Sequence, residues 1–362
     1  MPGFLFEIVD FSVARTIHIN ALVVWMVFAM IGSVYWLLPD ETGIETVGIG
    51  LGKLLYWVFV AAIVVVVLVY LLVQVGPADQ TTIWFIMEGR EYLEAPRWAD
   101  IGIVVVVLGF IYNLYATGMK GNRSGIVTVL MADMLAFAGI YLAGMGYTDN
   151  ISMDQYWWWW VIHLWVEATW EVFVGSIAAY GLITMIGAHR KVVEMWLWIE
   201  VAMLFGSGIL GIGHHYFWIG TPEYWWEIGA LFSALEPLPL VAMFIHVLYD
   251  WGKQQGAQEA QGKDVSVIAN KPAFTWFVLQ AFGNFVGAGI WGFFHTFPQV
   301  NLYTHGTQFT SAHGHLAFFG AYATILIGMF YIAVQGKNGI KVMHATKKSI
   351  WATCMILVVF LV

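Results

Sequence analysis

The chain has 362 residues, of which 60% are hydrophobic and 10% charged, with a formal net charge of −8. A soluble globular protein is roughly 45–50% apolar and about 25% charged, so the composition excludes a water-soluble fold. The charges form no basic stripe, which excludes nucleic-acid binding. The single cysteine, Cys354, excludes a disulfide framework, a thiolate zinc site and a covalent c-type haem, which needs a Cys-x-x-Cys-His motif. The composition predicts a polytopic membrane protein.

Membrane spans follow one another along the whole chain. A helix that crosses a bilayer needs about 20 mostly apolar residues, and nine complete runs of this kind occur, with a tenth, shorter run at 350–362. The complete runs are 16–38, 51–75, 101–119, 125–147, 157–187, 193–213, 226–249, 274–296 and 311–334. We expect an all-α polytopic membrane fold that forms one transmembrane domain over 1–362, truncated at both ends.

The distribution of basic residues predicts the orientation of these spans. Of the 15 Lys and Arg residues, all but Arg15, Arg90 and Arg97 lie in one alternate set of loops and span ends. The side rich in Lys and Arg faces the cytoplasm, so the first segment begins outside. Tryptophans at 157–160 and 225–226 then lie at outer ends, a position typical of an aromatic belt.

The fifth span carries His163, Glu167 and Glu171 at spacings of four. In an α-helix this spacing places all three on one face. Such residues are costly inside a membrane, so they indicate either a metal site or a hydrogen-bonded polar stripe between packed helices. A histidine with a carboxylate one turn away suits a hard or borderline metal such as iron or manganese.

Adjacent histidines, His214 and His215, end the sixth span. Neighbouring side chains on an α-helix diverge by about 100°, so the pair can bind one metal only if the helix end relaxes there. The predicted topology places both at the depth of His163, a short way in from the outer surface. We therefore expect three imidazoles and the Glu167 carboxylate to meet at one depth.

The ninth span opens with His313 and His315, which are separated by Gly314. Side chains two residues apart on a helix point about 200° apart, so each histidine holds a different group, and the glycine leaves room for flat macrocycles. Imidazole is a ligand of haem iron. His18, at the outer end of the first span, is either a partner for one of them or an interfacial histidine.

Other polar residues in the spans have less context. Glu236, followed by Pro237 and Pro239, is either a carboxyl tied into a broken helix or a proton-relay acid. Glu200 and Asp133 are interpreted as helix-packing polar residues. The remaining histidines are interpreted as interfacial or structural: His189, His246, His295, His305 and His344.

At these residues the sequence resembles the haem–copper oxidase superfamily, and within it the large, catalytic subunit of cytochrome-c-dependent nitric oxide reductases. The resemblance covers nearly the whole chain. The motifs that carry it are WVIHLWVE (160–167), GIGHHYFWIG (211–220), FSALEPLP (232–239), YTHGTQ (303–308) and AHGHLAF (312–318).

The resemblance implies the cofactors and their ligands. A low-spin haem b is expected on His18 and His315, and a high-spin haem b on His313. A non-haem iron is expected on four ligands: His163, His214, His215 and Glu167. The loop MEGREYLEAP (87–96) resembles a segment that binds calcium near the haem propionates, with Glu94 as the ligand.

The resemblance also implies the architecture and the reaction. About ten of twelve family helices are expected in this chain, in a bacterial inner membrane with the histidines toward the periplasm. Ala168 replaces a glycine usual in the family. The expected activity is respiratory reduction of two NO to N₂O and water. Electrons are expected from a membrane-anchored cytochrome c subunit through the low-spin haem.

Proton delivery is assigned to Glu171 and Glu236, which match acids near the family's site, because burial favours a protonated carboxyl. Protons are expected from outside, with little charge crossing the membrane.

Three alternatives remain. The first is an oxygen-reducing terminal oxidase with copper at the site. The largest type of such relatives has tyrosine where this chain has Glu167, and a carboxylate favours iron. The second is a nitric oxide dismutase-like relative, in which altered ligands are expected. The third is a non-catalytic haem-carrying membrane subunit or transporter, which does not require the His163, Glu167, His214 and His215 set.

Overall fold

A computed structural model describes residues 9–72, 84–265 and 267–335, and every regular element within these ranges is helical. Among the described residues, nine continuous helical stretches are long and apolar enough to cross a membrane, and several of them join two α-helices or an α-helix and a π-helical segment. They coincide with the nine complete predicted spans, which confirms the all-α polytopic membrane fold. Residues 73–75 of the second predicted span and the whole segment 350–362 lie outside the described residues.

The ends of the spans differ from the prediction by a few residues. The fourth helix ends at Ala143 rather than at Tyr147, because the backbone turns there through hydrogen bonds from Gly144 and Met145 to preceding carbonyls. The fifth ends at Ile186, where Gly187 adopts the left-handed conformation (φ 68°) that commonly terminates a helix.

The chain divides into two compact units, Met1–Arg123 with Tyr141–Met145, and Ser124–Ile140 with Gly146–Val362. The single domain over 1–362 therefore stays a prediction, and we describe each unit by itself. The described part of Met1–Arg123 includes the helices α1 (Phe11–Thr42), α2 (Ile49–Leu72) and α3 (Arg97–Lys120). Helices α1 and α3 are joined by a hydrogen bond from the Tyr35 hydroxyl to Asn113 Oδ1 (2.8 Å).

The second unit contains the remaining helices. Helix α4 (Gly125–Ala143) belongs to it as far as Ile140. The others are α5 (Ile151–Leu164), α6 (Glu171–Ile186), α7 (Arg190–Gly211), α8 (Tyr224–Ser233), α9 (Leu238–Ala260), α10 (Lys271–Gly283), α11 (Trp291–His295), α12 (Pro298–Thr304), α13 (Gln308–Ala317) and α14 (Thr324–Gln335).

Three spans of the second unit contain a π-helical segment where the sequence predicts a plain α-helix. The segments are Trp165–Trp170 between α5 and α6, Asn284–Ile290 between α10 and α11, and Phe318–Ala323 between α13 and α14. A π segment widens the helix and redirects the side chains that follow it, and such segments are frequent at functional sites. The spans that contain the last two segments approach each other at Gly283, which directly precedes Asn284–Ile290, and at Gly320, where a Cβ on either glycine would overlap the backbone of the other.

Candidate metal centre

Glu167 lies at the centre of the three predicted imidazoles. Its Oε2 is 3.3 Å from His163 Nδ1 and 3.3 Å from His214 Nε2, and its Oε1 is 3.0 Å from His215 Nε2. One ligand atom from each of the four residues can be chosen so that all lie within 4.8 Å of one another. The structure therefore brings together the four residues that the sequence places at one depth.

The π segment aims Glu167 at this cluster. His163 is the second-to-last residue of α5, which ends at Leu164. Glu167 is the third residue of the π segment Trp165–Trp170. Glu171, the first residue of α6, follows the π segment and is 6% exposed. The sequence predicts one uninterrupted α-helix through His163, Glu167 and Glu171. The π segment interrupts that helix, so the prediction of a single α-helical face is wrong.

The adjacent histidines share one centre because the helix that carries them relaxes. After α7 ends at Gly211, residues Ile212–His215 form a 3₁₀ turn, which is tighter than an α-helix and redirects successive side chains. Neighbouring backbone packs against this turn: a Cβ on Gly213 would lie 2.5 Å from the Trp225 carbonyl carbon. A Cβ on Gly229 would lie 2.5 Å from the His214 backbone nitrogen. Gly213 and Gly229 therefore allow the 3₁₀ turn Ile212–His215 to pack directly against the backbone of α8.

The chemistry of the four side chains fits a metal ion. His163 is fully buried, and among the described residues neither of its ring nitrogens has a hydrogen-bond partner, although its Nδ1 lies close to Glu167. Leaving buried polar atoms unpaired is costly, and a metal would use that nitrogen. Three imidazole nitrogens and one carboxylate oxygen are a suitable set for iron.

Glu236 approaches the cluster from a break between two helices. It lies between the end of α8 at Ser233 and the start of α9 at Leu238. Its Oε1 is 3.8 Å from His163 Nε2, and that oxygen has no hydrogen-bond partner among the described residues. Gly211 makes room for it, since a Cβ there would lie 2.8 Å from the same oxygen. The broken helix therefore presents this carboxyl oxygen to the imidazole.

The Nδ1 atoms of His313 and His315 both face backbone carbonyls. His313 Nδ1 donates to the Gly287 carbonyl (3.1 Å), and His315 Nδ1 donates to the Ser311 carbonyl (2.8 Å). Because a carbonyl only accepts, Nδ1 is the donor in each of these hydrogen bonds. Metal-bound histidines commonly use one nitrogen in this way to fix the ring, so both residues are suitable haem ligands. His18 lies exposed on α1 of the first unit, and its sharing of a haem with His315 stays a prediction.

Two aromatic residues at the site were given other roles by the sequence. Trp159, assigned to the aromatic belt, stacks on His215 with ring centroids 4.7 Å apart and planes 7° from parallel. His295, assigned to an interfacial or structural role, lies with its ring centroid 5.2 Å from that of His313. For Trp159 the available signal is its position one helical turn before His163.

The loop predicted to bind calcium is built around Glu94 in the first unit. Glu94 is 3% exposed, its Oε2 accepts from Asn20 Nδ2 (3.1 Å), and its carbonyl accepts from the Tyr70 hydroxyl (3.0 Å). Burial, the main influence, raises the pKa of this carboxyl to about 7. The calcium itself stays a prediction.

The remaining histidines do not join the cluster where they are described. His246 Nδ1 accepts from Trp196 Nε1 (3.0 Å), which leaves its Nε2 to face Asp250 Oδ2 at 3.3 Å, in agreement with a structural role. His189 and His305 are exposed. His344 lies outside the described residues.

Comparison with known proteins gives two findings. The model of the family described as "Cytochrome C and Quinol oxidase polypeptide I" matches residues 1–362. A nitric oxide reductase subunit of Stutzerimonas stutzeri is 42% identical over 339 residues, which are 93% of this chain and 69% of the relative.

Proposed function

The chain belongs to the cytochrome c and quinol oxidase polypeptide I family of the haem–copper oxidase superfamily, and from this premise we propose that it is the catalytic subunit of a respiratory nitric oxide reductase. The observation that carries the proposal is the position of Glu167 among His163, His214 and His215. A carboxylate at this place favours iron over copper. The 42% identity to the nitric oxide reductase subunit of Stutzerimonas stutzeri supports the same substrate.

The family implies haem and metal cofactors, and the residues present fit them. The cluster would hold a non-haem iron, His313 a high-spin haem b, and His18 with His315 a low-spin haem b. When bound, these groups would supply the electrons and Lewis acidity that couple two NO molecules to N₂O and water. The backbone from His315 to His313 is a short connection between the two haem ligands.

The protein's own residues would orient the reactants and supply protons. Holding two reactants in one geometry converts a bimolecular encounter into an oriented one. Glu236 Oε1 and the Glu171 carboxyl are the proposed proton donors, because both side chains are buried and Glu236 lies at the imidazole of His163.

The cellular setting belongs to the same proposal. We propose a multi-pass protein of the bacterial inner membrane, which the family resemblance implies, and the Lys and Arg distribution favours an orientation with the cluster toward the periplasm. The relative is named as one subunit of its enzyme, which indicates a multi-subunit assembly. A covalent c-type haem needs two cysteines in a Cys-x-x-Cys-His motif, and this chain has a single cysteine. We therefore expect the electron donor to be a separate, membrane-anchored cytochrome c subunit.

Anaerobic NO turnover by the purified protein, with a chemical electron donor, tests the proposed function. We expect two NO consumed for each N₂O formed. Oxygen reduction without NO turnover by fully loaded protein would contradict the proposal and favour a terminal oxidase.

A further inference from the structure

Glu200 is a buried acid in the second unit for which the proposed reaction gives no role. It lies on the stripe of α7 that faces the interior of the unit, with Leu197 and Leu204 one turn to either side. Its side chain is 1% exposed, and neither carboxyl oxygen has a hydrogen-bond partner among the described residues. A charged carboxylate without a partner is very costly in such surroundings, so burial disfavours the charged form of Glu200.

Gly175 on α6 provides the space for this carboxyl group. A Cβ at position 175 would lie 2.5 Å from Glu200 Cδ and would overlap both oxygens. Any other residue at this position would therefore displace the acid. The close approach also fixes where the carboxyl lies along α6.

Register places Glu200 on a line with the metal cluster. Glu171 is four residues before Gly175, which is about one turn, or 5.4 Å, nearer the cluster. Glu167 is four residues nearer again. The same antiparallel register holds further along α7, where a Cβ on Gly208 would contact Ala168 Cβ at 3.5 Å. The three acids therefore follow one another in the order Glu200, Glu171 and Glu167. About one α-helical turn separates Glu171 from the level of Glu200, and the π-helical segment separates Glu171 from Glu167.

We propose that Glu200 is a proton store for the metal cluster and that Glu171 passes its proton outward. The inference rests on the proposed function, which consumes two protons for each N₂O. The O–H bond of Glu200 breaks and an O–H bond forms on a Glu171 carboxylate that has given up its own proton. A proton taken up from the outside later returns to Glu200 through Glu171, so no charge accumulates over a turnover.

Infrared spectroscopy of the loaded enzyme without NO tests the first part of this proposal. Glu200→Gln keeps the shape of the side chain and removes the acid, so it should remove one carbonyl-stretch band of a protonated carboxyl. Asp133→Asn is a matched control, because Asp133 is also buried with neither carboxyl oxygen hydrogen-bonded in the described structure, but it lies on α4. The control should remove a different band. An unchanged carbonyl region in Glu200→Gln overturns the proposal, whatever the substrate of the enzyme.

Turnover tests the second part. With haem and metal content unchanged, Glu200→Gln should lower kcat for NO and leave KM unchanged. The loss should be smaller than the roughly hundredfold minimum for a side chain that transfers a proton to the reacting group itself, whereas Asp133→Asn should leave kcat unchanged. Full activity in Glu200→Gln with unchanged haem and metal content overturns the proposal. Absence of NO turnover in the wild-type enzyme would instead refute the proposed function.

A second variant covers failure of Glu200→Gln to assemble. Glu200→Asp keeps the acid but draws it back from Gly175 by one methylene. It should shift the carbonyl band and lower kcat, and an unshifted band overturns the proposal.

Discussion

Replacement of Glu167 by glutamine should remove the non-haem metal and leave both haems. Glutamine keeps the size of the side chain but lacks the charge, and its amide is a poor ligand in place of a carboxylate that lies 3.0–3.3 Å from all three imidazoles. Loss of a residue that merely supports a metal ligand costs about 10–100-fold in affinity. Loss of a direct ligand should reach the upper value or exceed it, which is about 2.8 kcal/mol of binding free energy.

Metal analysis and haem spectra of the purified variant measure this effect. The expected result is less than one tenth of the wild-type non-haem iron, with unchanged haem content, because the proposed haem ligands lie elsewhere in the chain. Glu167→Asp should retain part of the iron, since it keeps the charge on a shorter side chain. Glu227→Gln, which changes an exposed acid of α8, is the control. A full complement of iron and full NO turnover in Glu167→Gln would refute the assignment of this carboxylate.

Four further predictions follow from the same geometry. Gly213→Ala should displace the histidine turn against Trp225 and lower stability by about 1–3 kcal/mol, which thermal unfolding and iron content would register together; a wild-type melting temperature would contradict it. His313→Ala should abolish only the high-spin haem spectrum, and loss of the low-spin signal instead would exchange the two assignments. Glu236→Gln should keep the iron and lower kcat about a hundredfold, and an unaltered kcat would exclude this acid from proton delivery. Proteoliposomes turning over NO should develop little membrane potential, and charge translocation would rule out protons taken only from outside.

The spans could be predicted from the sequence because a bilayer imposes a length on apolar helices. Runs such as 16–38 and 311–334 are long enough to cross and have few charges, and the structure contains helices at both. The end of the fourth span at Ala143 was missed, since apolar residues continue through the turn that follows.

The four-residue cluster could also be predicted, because topology alone assigns His163, His214 and His215 to one depth and the four-residue spacing adds Glu167. Its detailed geometry could not. The π segment at Trp165–Trp170 depends on packing between spans, and periodicity within one span does not report it.

Contacts made by single side chains were the least predictable. The stacking of Trp159 on His215 depends on the approach of two spans that are distant in sequence. A tryptophan near the end of a span is typical of an aromatic belt. The sequence therefore predicted a belt position for Trp159 and not its contact with His215. The position of His295 beside His313 has the same cause, because it requires α11 to pack on α13.

Iron, copper and haem content per polypeptide in the detergent-purified protein tests the central claim most directly. The four-residue cluster that contains Glu167 predicts one non-haem iron and no copper, and the proposed haem ligands predict two haems. Two haems with one copper would contradict the assignment of the cluster as an iron site and favour an oxygen-reducing oxidase.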